Sequence, residues 1–332
     1  MKLKLSALCL AAVLGSFYAP NSMADEQQNL DVFYYSLNDP FIASYKAELE
    51  AAAQELNIKL DTFDANNDAS TQELQIGYTL DNGRAKLVNV VYPLLTDQVI
   101  EDCKKNNARL VFFNRQPDLT MLNGYDKAWF VEGDSMQAGQ LQAELVDEYV
   151  KKHPQIDRNH DGKISTVILK GDPNHQATYL RTANVINTLA TKVDNIEVVG
   201  ELNGNFSQQD ARGELETFVV REGLDKVELV ICNNDAMALG AISVLNNEGY
   251  NTGDKSYKYI PVFGIDALDT ALEAIADGKL EGTVLNDTKA QARAVLKLAL
   301  SKETDKDALS KELGLKVGST GMVYVPYAKI TK

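Results

Sequence analysis

The sequence predicts an α/β fold of two doubly wound parallel-sheet lobes, on three observations. Short apolar runs rich in β-branched and aromatic residues alternate with helical patterns along the whole chain, as in βαβ units. The runs form two series that break at Glu132-Gly133-Asp134. And 332 residues exceed what one core usually organises.

The first series has strand candidates at Leu30–Ser36, Ile58–Asp64, Ala85–Tyr92, Arg109–Asn114 and Trp129–Val131. The second has them at Thr166–Lys170, Ile196–Leu202, Leu229–Asn233, Ile260–Ile265 and Gly282–Leu285. The first helix is typical of those between: Asp39 can cap it and Pro40 suits its first position. Ile42, Tyr45, Leu49, Ala52 and Leu56 then fall on one face.

The amino terminus reads as a secretory leader, residues 1–24. Lys2 and Lys4 precede an apolar run from Leu5 to Phe17, and Ser22-Met23-Ala24 supplies the small residues of a cleavage site. The run is shorter than the roughly 20 residues a membrane span needs. Cys9 is a poor lipoprotein site because bulky Leu8 precedes it. The expected location is the periplasm. Cleavage after Ala24 takes the formal charge from −14 to −16, which excludes a nucleic-acid partner. Two cysteines then remain; Cys103 falls on a helix and Cys232 on a strand of the other lobe, so separate thiols are expected.

Polar residues collect where strands end: Asn38-Asp39, Asn114-Arg115, Asp172 to His175, Asn233-Asn234-Asp235, Asp266 and Asn286-Asp287. Singly, each could be a helix cap. Together they lie where doubly wound sheets bind ligands, and planar amides and carboxylates suit a polyol with many hydroxyls.

A second motif is Asp157-Arg158-Asn159-His160-Asp161-Gly162-Lys163-Ile164-Ser165. Oxygens of Asp157, Asn159 and Asp161 occupy positions 1, 3 and 5 of a calcium loop, Gly162 makes the turn, and Lys163 offers its carbonyl. Ser165 takes position 9. Position 12 is Ile168 where an EF-hand has its bidentate Glu, so a Ca²⁺ loop here needs a carboxylate from elsewhere.

The blocks VFFNRQP (Val111–Pro117), YDKAWFVEGD (Tyr125–Asp134), DRNHDGKI, VILKGDPNH (Val167–His175), ELVICNNDAMALGA (Glu228–Ala241), PVFGIDAL (Pro261–Leu268) and GTVLNDTKA (Gly282–Ala290) resemble, in order, the calcium-carrying galactose/glucose-binding family of type I periplasmic binding proteins. The likeness covers nearly the whole chain after the leader. It implies two lobes joined by a three-stranded hinge and closing around a sugar. The first lobe would comprise residues 25–131 plus 287–327, and the second 134–286 with the calcium loop. Residues 328–332 would be a short tail, truncated relative to the family.

Carried over by position, the resemblance implies sugar contacts from Asp39, Asn114, His175, Arg181, Asn234, Asp266 and Asn286. Phe41 and Phe206 would cover the two faces of the ring, and Glu228 would complete the calcium site. It further implies a monomer that delivers a hexose or hexoside to the membrane permease of an ABC importer and, in some members, to a chemoreceptor.

Departures from the family bear on the ligand. Ala177 stands where the family has an aspartate for the anomeric hydroxyl, Phe206 replaces a tryptophan, and Ser165 replaces a glutamine. Asp172 and Tyr179 are the neighbours that could compensate for Ala177. Equally, Ala177 could make room for a C1-substituted galactoside. Trp129 is expected in the core. An enzyme is disfavoured, since no nucleophile motif or phosphate loop accompanies His175, Asp172 or Asp235. A repressor would need a basic helix-turn-helix where the leader stands.

Overall fold

The computed structural model describes residues 28–254 and 258–331; the leader and Cys9 lie outside them. Among the described residues the strands form two six-stranded sheets. The first contains β1 (Asn29–Tyr34), β2 (Lys59–Asp64), β3 (Lys86–Val88), β4 (Leu110–Phe113), β5 (Ala128–Gly133) and β11 (Met322–Val325). Its order is β11-β5-β4-β3-β1-β2, parallel throughout. The second contains β6 (Ile164–Lys170), β7 (Ile196–Asn203), β8 (Leu229–Cys232), β9 (Val262–Phe263), β10 (Gly282–Leu285) and β12 (Ala328–Thr331). Its order is β12-β10-β9-β8-β6-β7.

Both sheets are buried on two faces, which is why their strands read as nearly continuous apolar runs. In β1, Val32 and Tyr34 pack with the helices 40–55 and 288–300, while Phe33 joins Val88, Phe112 and Phe130 on the opposite face. In β6, Val167 and Leu169 face one core and Ile168 the other. Trp129 is fully buried, with the Arg109 guanidinium 4.3 Å over its ring. Cys103 and Cys232 are buried, unbridged thiols in different lobes.

Two expectations need correction. Residues 328–331 are not a loose tail: after Pro326 the chain enters the second lobe as β12, antiparallel to β10, pairing Ala328 with Leu285 and Thr331 with Gly282. The first helix, Pro40–Glu55, buries Ile42, Tyr45, Leu49 and Ala52, but Leu56 is its exposed C-cap. Strand β9, Val262–Phe263, is also shorter than its run Ile260–Ile265. Pro261 has no N–H for the ladder, so β9 begins after it.

The chain passes between lobes after β5, after β10 and between β11 and β12. The three crossings meet at Gly133. A Cβ there would lie 2.4 Å from Tyr327 Cε2 and 2.7 Å from Asn286 Oδ1, so only glycine lets them pack this closely.

Candidate sugar-binding site

Ligand-binding residues are expected outside the carboxyl ends of strands at a switch point, and the site lies there in both sheets. The chain leaves β1 toward β2 on one side and later returns to β3 on the other; β6 is flanked by β7 and β8 in the same way. Asp39 follows β1 and Asn114 follows β4. From the second lobe come His175 after β6, Asn234 after β8 and Asp266 after β9.

Asp39, Phe41, Asn114, His175, Arg181, Phe206, Asn234 and Asp266 line one narrow interlobe cavity of about 30 Å³. The lobes touch across it, with His175 Nε2 3.5 Å from Asn114 Oδ1. Asn286 does not line it. Its Nδ2 donates to Asp266 Oδ1 at 3.2 Å and its Oδ1 accepts from Gln291 at 2.6 Å, so it stands behind the carboxylate and holds it. Tyr35 and Ala177 also line the cavity. Tyr35 was missed because it sits on the strand side of the Asn38-Asp39 cluster.

Several positions carry unusual backbone. Of the described non-glycine residues with positive φ, all but four are asparagines; the four are His160, Phe206, Asp266 and Ala267. Phe206 (φ 59) and Asp266 (φ 124) are cavity residues, as is Asn114 (φ 65). Asparagine tolerates this region, whereas a bulky aromatic there is strained and tends to mark function.

The electrostatics follow from burial. His175 caps the helix Gln176–Leu189: its Nδ1 accepts from Ala177 N–H at 3.2 Å, leaving Nε2–H to donate. Burial, with Arg115 and Arg181 beside it, drives its pKa well below the usual value, so the ring is neutral. Burial raises Asp39, opposed by hydrogen bonds from Tyr35 and the backbone. Burial likewise pushes Asp266 up to about 7, opposed by Arg181 and Asn286. Arg181 is buried, not a surface ion pair. It donates to Asn233 O at 2.6 Å and Tyr327 Oη at 2.9 Å, lies 3.6 Å from Asp266, and its Nε has no partner. Phe206 stands edge-on to His175, ring centres 5.4 Å apart.

Asp235, a conceivable base, is fully buried behind the site. It accepts from Thr283 Oγ1 at 2.6 Å and Leu268 N–H at 2.9 Å. Its role is to tie β8 to the loop after β9. Neither sequence neighbour of Ala177 takes the place of the family's aspartate: Asp172 pairs with Arg115 at 3.2 Å, and Tyr179 is 74% exposed.

The 157–165 loop forms a tight turn with His160 (φ 57) and Gly162 (φ 85) in the left-handed region. Glu228, at the edge of β8 and 1% exposed, reaches the loop backbone. Its Oε1 accepts from Arg158 N–H at 2.6 Å and its Oε2 from Ser165 N–H at 2.9 Å. The Asp157 and Asp161 carboxylates also accept loop N–H groups. Ser165 lies buried within β6. The donors are all oxygen, which fits a hard cation in kind. Among the described residues, however, no three His, Cys, Asp or Glu side chains converge as a ligand set.

A periplasmic binding protein domain matches residues 30–307. The chain belongs to the periplasmic binding protein family. It is 34% identical over 297 residues to the D-galactose/methyl-galactoside binding periplasmic protein of Haemophilus influenzae, covering 89% of this chain and 86% of that one. A putative rhizopine-binding protein of Rhizobium meliloti is 29% identical, covering 89% and 87%. Among solved structures, an ABC transporter solute-binding protein from Bacillus halodurans C-125 with bound myo-inositol superposes with a TM-score of 0.71 at 26% identity, covering 92% of this chain and 94% of that one. An Actinobacillus succinogenes solute-binding protein with bound D-allose shares the fold at a TM-score of 0.75 and 18% identity, covering 92% and 98%. Among the described residues no helix is long and apolar enough to cross a membrane.

Proposed function

We propose that this chain captures a hexose in the periplasm by closing its lobes and delivers it to the permease of an ABC importer. The observation that carries this is the cavity wall. Two carboxylates, two asparagine amides, a neutral imidazole and a guanidinium with an unpartnered Nε converge between two phenylalanines. Such a wall accepts from and donates to ring hydroxyls while the aromatic rings cover apolar C–H faces. Each lobe holds only part of the set, so a sugar that touches both favours the closed state.

The candidate sugars are D-galactose and D-glucose, or a galactoside substituted at C1. Ala177 makes the third possibility specific: it is buried in the wall, the Asp172 carboxylate is taken up by Arg115, and the Tyr179 side chain is exposed. The same resemblance motivates Ca²⁺ in the 157–165 loop, held by Asp157, Asn159, Asp161, the Lys163 carbonyl, Ser165 and Glu228. A bound cation would pin the loop to β8 and stabilise the second lobe without touching the sugar.

A thermal-shift panel on the protein from Asp25 onward tests the reading, using glucose, galactose, methyl β-galactoside, ribose and no sugar. Stabilisation by galactose or glucose is expected. A shift with the galactoside alone means that Ala177 has changed the ligand, and silence with glucose, galactose and the galactoside alike overturns the assignment.

A further inference from the structure

We propose that Arg115 is a positioning residue that clasps the two lobes through Asp172 while bracing three of the sugar-reading side chains. It follows β4 in the first lobe, and Asp172 follows β6 in the second. Arg115 Nη2 lies 3.2 Å from Asp172 Oδ2, and Nη1 donates to Val91 O at 2.6 Å. Its guanidinium also stacks 4.4 Å over the Tyr35 ring. Arg115 is 5% exposed and the Asp172 side chain 22%, so the guanidinium is withdrawn from water and the carboxylate partly so.

Each partner holds a residue of the cavity wall. Tyr35 donates its hydroxyl to Asp39 Oδ2, so the guanidinium stacked on Tyr35 braces the carboxylate that lines the cavity. Asp172 caps the turn that presents the imidazole: its Oδ1 accepts from Asn174 N–H at 2.9 Å and its carbonyl from His175 N–H at 3.0 Å. Asn114, in the left-handed conformation, directly precedes Arg115. The clasp therefore connects Asn114 and Asp39 in one lobe with His175 in the other, and it exists only while the lobes are together.

An exposed ion pair contributes little, but removing one partner of a desolvated pair leaves a charge without compensation and acts mainly on dissociation. Arg115 suits the role better than a lysine would, since its planar fork bonds in two directions while stacking on an aromatic face.

The inference rests on the sugar-binding reading for its ligand, so the experiment has one arm that needs no ligand. Leu74 and Val220, exposed on helices of opposite lobes, are replaced by cysteine and labelled with a fluorescent donor and acceptor. Cys103 and Cys232 are buried and do not compete. D172N and R115Q are each expected to lower the closed fraction without sugar, and D172N to add nothing once R115Q is present. In stopped flow with D-galactose, D172N is expected to raise the dissociation rate about tenfold with association within twofold, and R115K to recover part of the loss in R115Q. An unchanged closed fraction in D172N, or additive effects in the double variant, overturns the clasp. If galactose does not bind the wild type, the sugar reading fails, while the labelled lobes still decide the clasp.

Discussion

Gln176, the first residue of a second-lobe helix, donates its Nε2 at 2.8 Å to Oε2 of Glu132, the penultimate residue of β5 before the chain leaves the first lobe. The same amide reaches Asn114 O at 3.2 Å. The lobes are thus joined behind the cavity as well as at its mouth, through a carboxylate whose Oε1 has no partner.

That burial makes binding pH-dependent. Glu132 is pushed up to about 8 by desolvation, against Gln176 and Arg181 and together with Asp134; Tyr324 and Tyr327 also face it. Opening would hydrate it and return it toward the ordinary carboxylate range. Closure then takes up a proton, so affinity is full below the ordinary carboxylate value of 4.5, falls as pH rises from there to about 8, by at most about tenfold per pH unit per group, and levels off above it. Asp266, raised to about 7, contributes with the same sign. Calorimetry with galactose from pH 5 to 9 should show this fall, and E132Q should flatten its upper part. An unchanged slope in E132Q rejects the assignment.

Arg181 anchors both Asn233 and Tyr327. R181K keeps the charge but cannot reproduce the fork, and a charge-assisted hydrogen bond contributes about 1.5–3 kcal/mol. Equilibrium titration should show roughly 10- to 100-fold weaker sugar binding.

Ala177 invites the opposite experiment. A177D restores a carboxylate to the wall and should strengthen binding of free galactose relative to methyl β-galactoside. An affinity ratio that does not move in that direction would show that C1 does not face this residue.

The metal prediction separates stability from affinity. A chelator should lower the melting temperature, with a cation at a hundredfold its Kd contributing about 2.7 kcal/mol. Galactose affinity far below melting should be unchanged, and E228Q should remove the calcium-dependent shift. A collapse of affinity before stability would place the cation's role at the cleft instead.

Gly133 packs the three crossings together, so G133A must displace Tyr327 or Asn286. Overpacking of this kind costs about 1–3 kcal/mol. Because Tyr327 holds Arg181 and Asn286 holds Asp266, the variant should lose both melting temperature and sugar affinity. Loss of stability alone would uncouple the hinge from the site.

Most of the strand order along the chain could be read directly, because sheets buried on both faces leave continuous apolar runs such as Val111–Phe113 and Val167–Leu169. The site was legible to the same depth, since doubly wound sheets place ligands after strand ends and those ends carry Asp39, Asn114, His175, Asn234 and Asp266. Glu132 and Arg115 were less legible: a charged residue in a run looks the same whether it faces solvent or another lobe.

The sequence by itself determined the element order, the two lobes and the chemical character of the strand ends, because these depend on local periodicity and on residue type. Tertiary structure decided what depends on distant segments meeting. It turned residues 328–331 into a strand of the second sheet, set Asn286 behind Asp266 and not beside the cavity, and paired Arg115 with Asp172. The physical reason is that hydrogen bonds and ion pairs act over a few ångströms in space, between residues as far apart in the chain as Arg181 and Tyr327.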